Sequence, residues 1–174
     1  GIFSILFKWV SEGVNIPVLN NGQNIYQFVH ASDLADACIL ASEKEALYST
    51  YIIGAADFNT MKQTLENLCE FTGTGSEIYS LPLYPKEITM NILSKLRLIP
   101  LAPYHSLMYG RLLFFNNKKP INQIGYNPKY STDEMFYESY DWYLKNRTNL
   151  LSLDGKTPHL KTVNESFLKF NRLI

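Results

Sequence analysis

The chain has 174 residues, a length that suits one domain or part of a larger two-lobed one. A hydrophobic content of 46% is enough to fill a core and argues against disorder. Because 16 basic residues cancel 16 acidic ones, the charge favours neither nucleic acid nor an anionic membrane surface as a partner.

The two cysteines and the apolar runs indicate the compartment. Cys38 and Cys69 lack the spacing of a disulfide framework, so we expect free thiols in a reducing, cytoplasmic environment. No apolar run approaches the ~20 residues that span a bilayer. The opening stretch Ile2–Val10 contains Lys8 and no cleavage site follows it, so we do not interpret it as a signal peptide.

The first elements in chain order are a helix and two short strands. The helix is predicted from about Ile2 to Glu12, with Gly13 as its end. Ile16–Leu19 reads as an edge strand because it contains a proline, and Tyr26–Ala31 reads as a returning strand. Asn20–Gly22 between them is a hairpin signal, so we expect the two strands to pair antiparallel.

A second helix, a buried strand and a third helix follow. Ser32 is predicted to cap the second helix. The run Tyr51–Gly54 is continuously apolar, as in a buried strand of a parallel sheet. Thr60 and Gln63 form a capping box for the third helix, which ends at Gly73.

The second half of the chain continues the alternation. Ile78–Leu81 is a further predicted strand, Pro85 opens a helix, and residues 101–113 are predicted as a loop.

A short helix follows at Lys118–Ile124, and Ser131 starts the closing helix through a capping box with Glu134. The residues expected to face inward on that closing helix are Met135, Ser139, Trp142 and Tyr143. The pattern as a whole predicts an α/β chain.

Residues 20–37, NNGQNIYQFVHASDLADA, resemble the extended short-chain dehydrogenase/reductase family, the NAD-dependent sugar-nucleotide epimerases and dehydratases. The positions that match are Gly22, Phe28, Val29, Asp33, Leu34, Ala35 and Ala37, followed in order by Tyr51–Gly54, Thr60, Lys119–Pro128 and Glu134–Leu144. The resemblance implies the C-terminal part of an extended Rossmann-type enzyme. Residues 1–147 would be its substrate-binding portion, and residues 148–174 a tail with a last short helix.

The motifs that carry this family's chemistry are missing from the sequence. Gly73-Thr74-Gly75 follows a helix, so we interpret it as a helix end rather than as a pyrophosphate-binding turn. Tyr140 and Lys145 lack the spacing of the family's Tyr-Lys pair. We therefore expect a fragment that lacks the N-terminal, cofactor-binding half, binds no NAD or NADP by itself and has no catalytic residue.

The resemblance implies substrate contacts at Pro17, Leu19 and Tyr26, and the place of Arg111 in the chain adds it as a fourth candidate. Pro17 and Leu19 match the strand that packs against the nucleotide base. Tyr26 replaces the family's usual phosphate-gripping Arg, and Gln27 replaces its usual Asp. Since a phenol supplies one neutral donor where an Arg supplies a charged fork, we expect Arg111 to hold the diphosphate, or the substrate to be atypical.

Other polar residues are given structural roles. Asp33 is expected to tie the hairpin to the helix after it, with His30 packed beneath the hairpin, and the Asp133-Glu134 pair to serve the helix cap and dipole. No His, Cys and Asp set has metal-ligand spacing, so no metal is expected.

Three functions remain open. The chain is the substrate-binding portion of a nucleotide-sugar epimerase or dehydratase, a non-catalytic binding domain derived from that family, or part of a reductase acting on a non-nucleotide substrate. A homo-oligomer would fit the family.

Overall fold

The computed structural model describes residues 2–44, 48–81 and 111–152. Within these ranges the chain forms five α-helices, one 3₁₀ turn and two strands. In chain order the helices and strands are α1 (Ile2–Ser11), β1 (Ile16–Leu19), α2 (Ala31–Glu43), α3 (Met61–Thr72), β2 (Ile78–Leu81), α4 (Lys118–Ile124) and α5 (Thr132–Ser152). The predicted α/β class is confirmed. The predicted helix opened by Pro85, most of the loop at 101–113 and the last short helix lie outside the described residues.

The two strands form a small parallel sheet. Ile16 of β1 lies opposite Ile78, and Leu19 lies opposite Leu81. The amide of Ile16 donates to the carbonyl of Glu77 at 2.8 Å. Ile16 and Val18 are each 4% exposed and point into the core, so the intervening Pro17 lies on the other face of the strand.

The predicted antiparallel hairpin is wrong. Asn20–Gly22 is a 3₁₀ turn that packs against α3, where a Cβ added to Gly22 would lie 2.7 Å from the Cβ of Lys62. Beyond the turn, Ile25 bridges Thr60 and Tyr26 bridges Leu113, so Tyr26–Ala31 is not a strand paired with β1. The chain runs past the start of α3 instead of reversing along β1, and distant segments take its backbone hydrogen bonds.

The predicted buried strand at Tyr51–Gly54 is also wrong. Residues 51–55 belong to neither of the two described strands, and Ile52 is 50% exposed. The amide of Ala55 donates to the carbonyl of Phe28 at 2.8 Å, and the carbonyls of Gly54 and Ala55 accept from side chains. An apolar run ending in glycine is thus held by side-chain donors rather than by a neighbouring strand.

Most helix ends follow the local signals. Thr60 accepts from the amide of Gln63 at 3.2 Å, and Gly73 and Gly125 end α3 and α4 in the left-handed conformation. The Ser131 amide donates to Glu134 Oε2 at 2.8 Å, which completes the predicted capping box and lowers the pKa of that carboxyl.

The cap predicted at Ser32 is wrong by two residues. His30 is the N-cap of α2, and its Nδ1 accepts from the Ser32 amide at 3.2 Å. His30 does not pack beneath a hairpin; its ring stacks on Tyr130 at 3.8 Å, and its Nε2 lies 3.3 Å from Glu138 Oε2. The imidazole supplies the capping acceptor that a hydroxyl was expected to provide.

The main core lies between α1, α3, α5 and β1. Its buried residues are Phe7, Val10, Ile16, Val18, Leu65, Leu68, Cys69, Phe136, Tyr140 and Tyr143. On α5, Met135 and Tyr143 are buried as predicted, but Ser139 is exposed and Trp142 is 56% exposed. Phe136 and Tyr140 take the inward places, since positions 136, 140 and 143 share one helical face. No helix in the described ranges is long and apolar enough to cross a membrane.

Asp33 fixes the start of α2 to the segment before α5. It is 1% exposed, and its carboxylate accepts from the backbone amides of Lys129 at 3.1 Å and Tyr130 at 3.2 Å. The expected structural role is therefore present, but the partner is the segment at 129–130 and not a hairpin.

This buried carboxylate can be tested against an exposed neighbour. We expect Asp33→Asn to lower the free energy of unfolding by about 1.5–3 kcal/mol, because hydrogen bonds to a charged acceptor are lost. Asp36, whose carboxylate makes an exposed ion pair with Lys129 at 2.6 Å, supplies the control. Asp36→Asn should cost about 1 kcal/mol or less in urea unfolding. Equal losses would contradict the role given to Asp33.

Candidate functional site

The structure places Tyr26 beside the segment that contains Arg111. The Gln27 amide donates to the Leu113 carbonyl at 2.8 Å, and the Leu113 amide donates to the Ile25 carbonyl at 2.8 Å. These bonds make a parallel bridge between Tyr26 and Leu113. Two residues of chain span at most about 7 Å, so the Arg111 backbone lies within that distance of the bridge.

The surroundings of Tyr26 are aromatic. Its ring is half-buried and lies 5.1 Å from the ring of Phe28, at an angle of 45°. Across the bridge, Phe114 lies 6.1 Å from Phe58. Arg111 itself is exposed at the start of this segment. The Tyr26 phenol and the backbone of the Arg111 segment thus lie near aromatic side chains.

Pro17 and Leu19 lie elsewhere, on the two-stranded sheet. Pro17 is half-buried and pairs in register with Tyr79, whose pKa is raised by burial. Leu19 is the last residue of β1, before the 3₁₀ turn. The structure therefore brings Tyr26 and the Arg111 segment together directly, whereas Pro17 and Leu19 are connected to Tyr26 through the turn.

Gln27 joins the segment at Phe115 to the segment at Ala55. Its side chain is 7% exposed, its Nε2 donates to the Ala55 carbonyl at 2.5 Å, and its Oε1 accepts from the Phe115 amide at 2.8 Å. A Cβ added to Gly54 would lie 2.6 Å from Gln27 Cδ. The glycine is needed because the carboxamide occupies the space beside it.

Two more side chains complete this arrangement, which we call the Gly54–Ala55 hub: the two carbonyls with Gln27, Asn117 and Tyr126. Asn117 Nδ2 donates to the Gly54 carbonyl at 2.7 Å and to the Ala55 carbonyl at 3.1 Å. The Tyr126 hydroxyl donates to the Gly54 carbonyl at 3.1 Å. Burial, assisted by the charge of Asp33, raises the pKa of Tyr126 to about 12, so the phenol keeps the proton it donates.

Sequence reasoning missed the hub. In the sequence, Gln27 is distinguished only as a replacement for the family's Asp, and Tyr126 only as part of the matching motif Lys119–Pro128. The available signal was a polar residue inside an otherwise apolar run, Ile25–Val29, since a buried amide must find partners.

The turn Gly73-Thr74-Gly75 does not form a dinucleotide-binding turn. The Gly73 amide donates to the Cys69 carbonyl at 3.1 Å and ends α3, so it is not a phosphate-binding donor at a helix N-terminus.

Burial, with a contribution from Glu66, raises the pKa of Cys69 to about 11, which leaves this thiol protonated at neutral pH. In the part of the chain that the structure describes, no cluster of three His, Cys, Asp or Glu side chains could bind a metal.

Residues 1–54 match the model of the NAD dependent epimerase/dehydratase family. This stretch contains Pro17, Leu19, Tyr26 and the glycine of the hub. The first 54 residues are thus similar to this family, and the resemblance predicted from the sequence is confirmed for this stretch.

A curated relative matches nearly the whole chain. The uncharacterized protein y4nG of Sinorhizobium fredii is 46% identical over 168 residues, which are 97% of this chain and 42% of that protein. The chain therefore spans less than half the length of this relative.

Solved structures share the fold. The epimerase Mth375 of Methanothermobacter thermautotrophicus has a TM-score of 0.64 at 12% identity, covering 88% of this chain and 40% of that one. WbmF of Bordetella bronchiseptica, solved with NAD+ and UDP, has a TM-score of 0.62 at 16% identity, with 87% and 38% covered. The dTDP-glucose 4,6-dehydratase of Bacillus anthracis, solved with NAD, has a TM-score of 0.56 at 19% identity, with 83% and 39% covered.

The hub supplies a prediction about a glycine. We expect Gly54→Ala to lower the free energy of unfolding by about 1–3 kcal/mol, because the new methyl group would overlap the Gln27 carboxamide. Urea unfolding measures the loss. In the double variant Gly54→Ala/Gln27→Ala the overlap is relieved, so the two losses should be less than additive. Strict additivity would show that the two residues do not meet.

Proposed function

We propose that this chain is the substrate-binding portion of an NAD(P)-dependent nucleotide-sugar epimerase or dehydratase. The substrate contacts in this proposal are Pro17, Leu19, Tyr26 and Arg111. The observation that carries it is the bridge between Tyr26 and Leu113, which places a phenol and an arginine-bearing segment side by side.

The chemistry of the four residues suits a sugar nucleotide. A diphosphate needs charged donors, and an Arg guanidinium offers a planar fork for its oxygens, with the Tyr26 hydroxyl as a neutral second donor. Pro17 and Leu19 offer apolar contact to a base. The complex of WbmF with NAD+ and UDP supports this ligand class for a protein of the same fold.

The cofactor belongs to another part of the proposed enzyme. NAD or NADP would be bound by an N-terminal half that is not among residues 1–174, and no residue of this chain is assigned to it. The same proposal includes a cytoplasmic location and a homo-oligomeric parent.

A less charged substrate is the second candidate. Leu112 is 63% exposed and Phe114 is 51% exposed beside the Tyr26 bridge, so the surface next to the phenol is apolar. That surface favours a reductase or a non-catalytic binding domain that takes a non-nucleotide ligand.

Arg111 distinguishes the two candidates. If it holds a diphosphate, Arg111→Ala in the full-length protein should weaken binding of UDP or dTDP about ten- to a hundredfold, since a charge-assisted contact of about 1.5–3 kcal/mol is lost. Arg147→Ala, which removes an exposed charge from α5, is the matched control and should leave the dissociation constant unchanged. Titration calorimetry measures the dissociation constant for the wild type, Arg111→Ala and Arg147→Ala.

The opposite pattern would favour the second candidate. If Arg111→Ala has no effect while Tyr26→Phe abolishes binding, the phenol is the main contact and the ligand carries less charge. Tyr26→Arg should leave diphosphate binding intact or tighten it if the first candidate is right.

We also expect residues 1–174 to bind neither NAD(H) nor NADP(H) at micromolar concentration, because Gly73 is used to end α3 and the sequence contains no other glycine-rich turn. Titration calorimetry with each dinucleotide tests this. Micromolar binding, or turnover by this chain alone, would contradict the expectation.

A further inference from the structure

We infer that Gln27 is a positioning residue for the ligand: its buried carboxamide sets the place of Tyr26 and of the segment at 111–115, and so determines the affinity for a nucleoside diphosphate. The ligand named here rests on the proposed function. The positioning itself rests on contacts that hold whatever the ligand is.

Gln27 is bonded at three points. Its backbone amide donates to the Leu113 carbonyl at 2.8 Å, its Oε1 accepts from the Phe115 amide at 2.8 Å, and its Nε2 donates to the Ala55 carbonyl at 2.5 Å. One residue therefore orders both ends of the segment 113–115 and ties it to the Gly54–Ala55 hub. Tyr26 precedes it directly, so its phenol moves with this connection.

Gln27 acts on a ligand only through these neighbours. Its side chain is 7% exposed, and both its carboxamide oxygen and its nitrogen are engaged by the protein. The carboxamide therefore influences a ligand at Tyr26 and Arg111 only through the segments to which it is hydrogen-bonded.

Only a group that both donates and accepts fits this place. One end of the carboxamide faces an N–H and the other faces a carbonyl, so a carboxylate would set two acceptors against each other beside Ala55. A protonated carboxyl would restore the match, because its O–H can donate to that carbonyl. Burial and the nearby carbonyl disfavour the charged form, so a Glu at this position should have a pKa above its usual value of about 4.3.

The test is Gln27→Glu in the full-length protein, with UDP and dTDP as the probes. At pH 7.5 we expect the dissociation constant to rise about tenfold or more, and amide hydrogen exchange at Leu113 and Phe115 to speed up by a similar factor relative to wild type at the same pH. As the pH falls through the raised pKa, the carboxyl gains its proton and both properties should return toward wild type. The wild-type protein, with a neutral amide, should lack this recovery.

Gln123→Glu is the matched control. Gln123 is exposed on α4, so the same change in charge should alter neither affinity nor exchange at 113 and 115. If Gln27→Glu fails to fold at pH 7.5, Gly54→Ala displaces the carboxamide without adding a charge and should also weaken binding and speed exchange.

The outcomes separate the two proposals. Wild-type protein that binds neither probe would overturn the proposed function, and exchange at 113 and 115 would still decide whether Gln27 holds that segment. If the wild type binds but Gln27→Glu binds equally well, or loses affinity without faster exchange and without recovery at low pH, the positioning role is wrong.

Discussion

Two adjacent carbonyl groups, those of Gly54 and Ala55, connect segments that are far apart in the chain. A buried carbonyl left without a donor costs about 1–3 kcal/mol, so an irregular segment at this depth requires donors from elsewhere. Gln27 supplies one donor, and Asn117 and Tyr126, which flank α4, supply the others. The residues around Tyr26 are therefore held by isolated backbone bridges together with side-chain hydrogen bonds, and not by a strand of the described sheet.

Asp33, at the start of α2, is another buried polar group that requires hydrogen-bond partners. Its carboxylate is 1% exposed and accepts from backbone amides at 129 and 130, so its charge is compensated by N–H groups. Tyr126 lies between the two arrangements: its pKa is raised partly by Asp33 while its hydroxyl donates to the hub. The segment between α4 and α5 is thus held from both sides.

Apart from the cap at Ser32, local signals predicted the helix ends, and non-local pairing explains the errors in the strands. Gly73 and Gly125 end helices through their own backbone conformation, and Ser131 with Glu134 makes a contact within four residues, so neighbouring residues carry this information. The partners of Ile16 and Gln27 come from the segments at 78 and 115, and no window of sequence contains both members of such a pair. The hairpin was predicted because its turn residues are typical, but the packing of Gly22 against α3 determines the path.

In the candidate site too, the sequence indicated individual residues but not the non-local contacts between them. A resemblance supplied Tyr26 and a position in the chain suggested Arg111, but neither shows that one backbone bridge brings their segments together. A single bridge is a weak connection, because isolated strand pairs are marginally stable in water. The Gln27 carboxamide extends it to Phe115 and anchors it to Ala55. The way in which Tyr26 is presented to a ligand therefore depends on the polar network around Gln27. A carboxylate at position 27 would disrupt that network, whereas the neutral amide completes it.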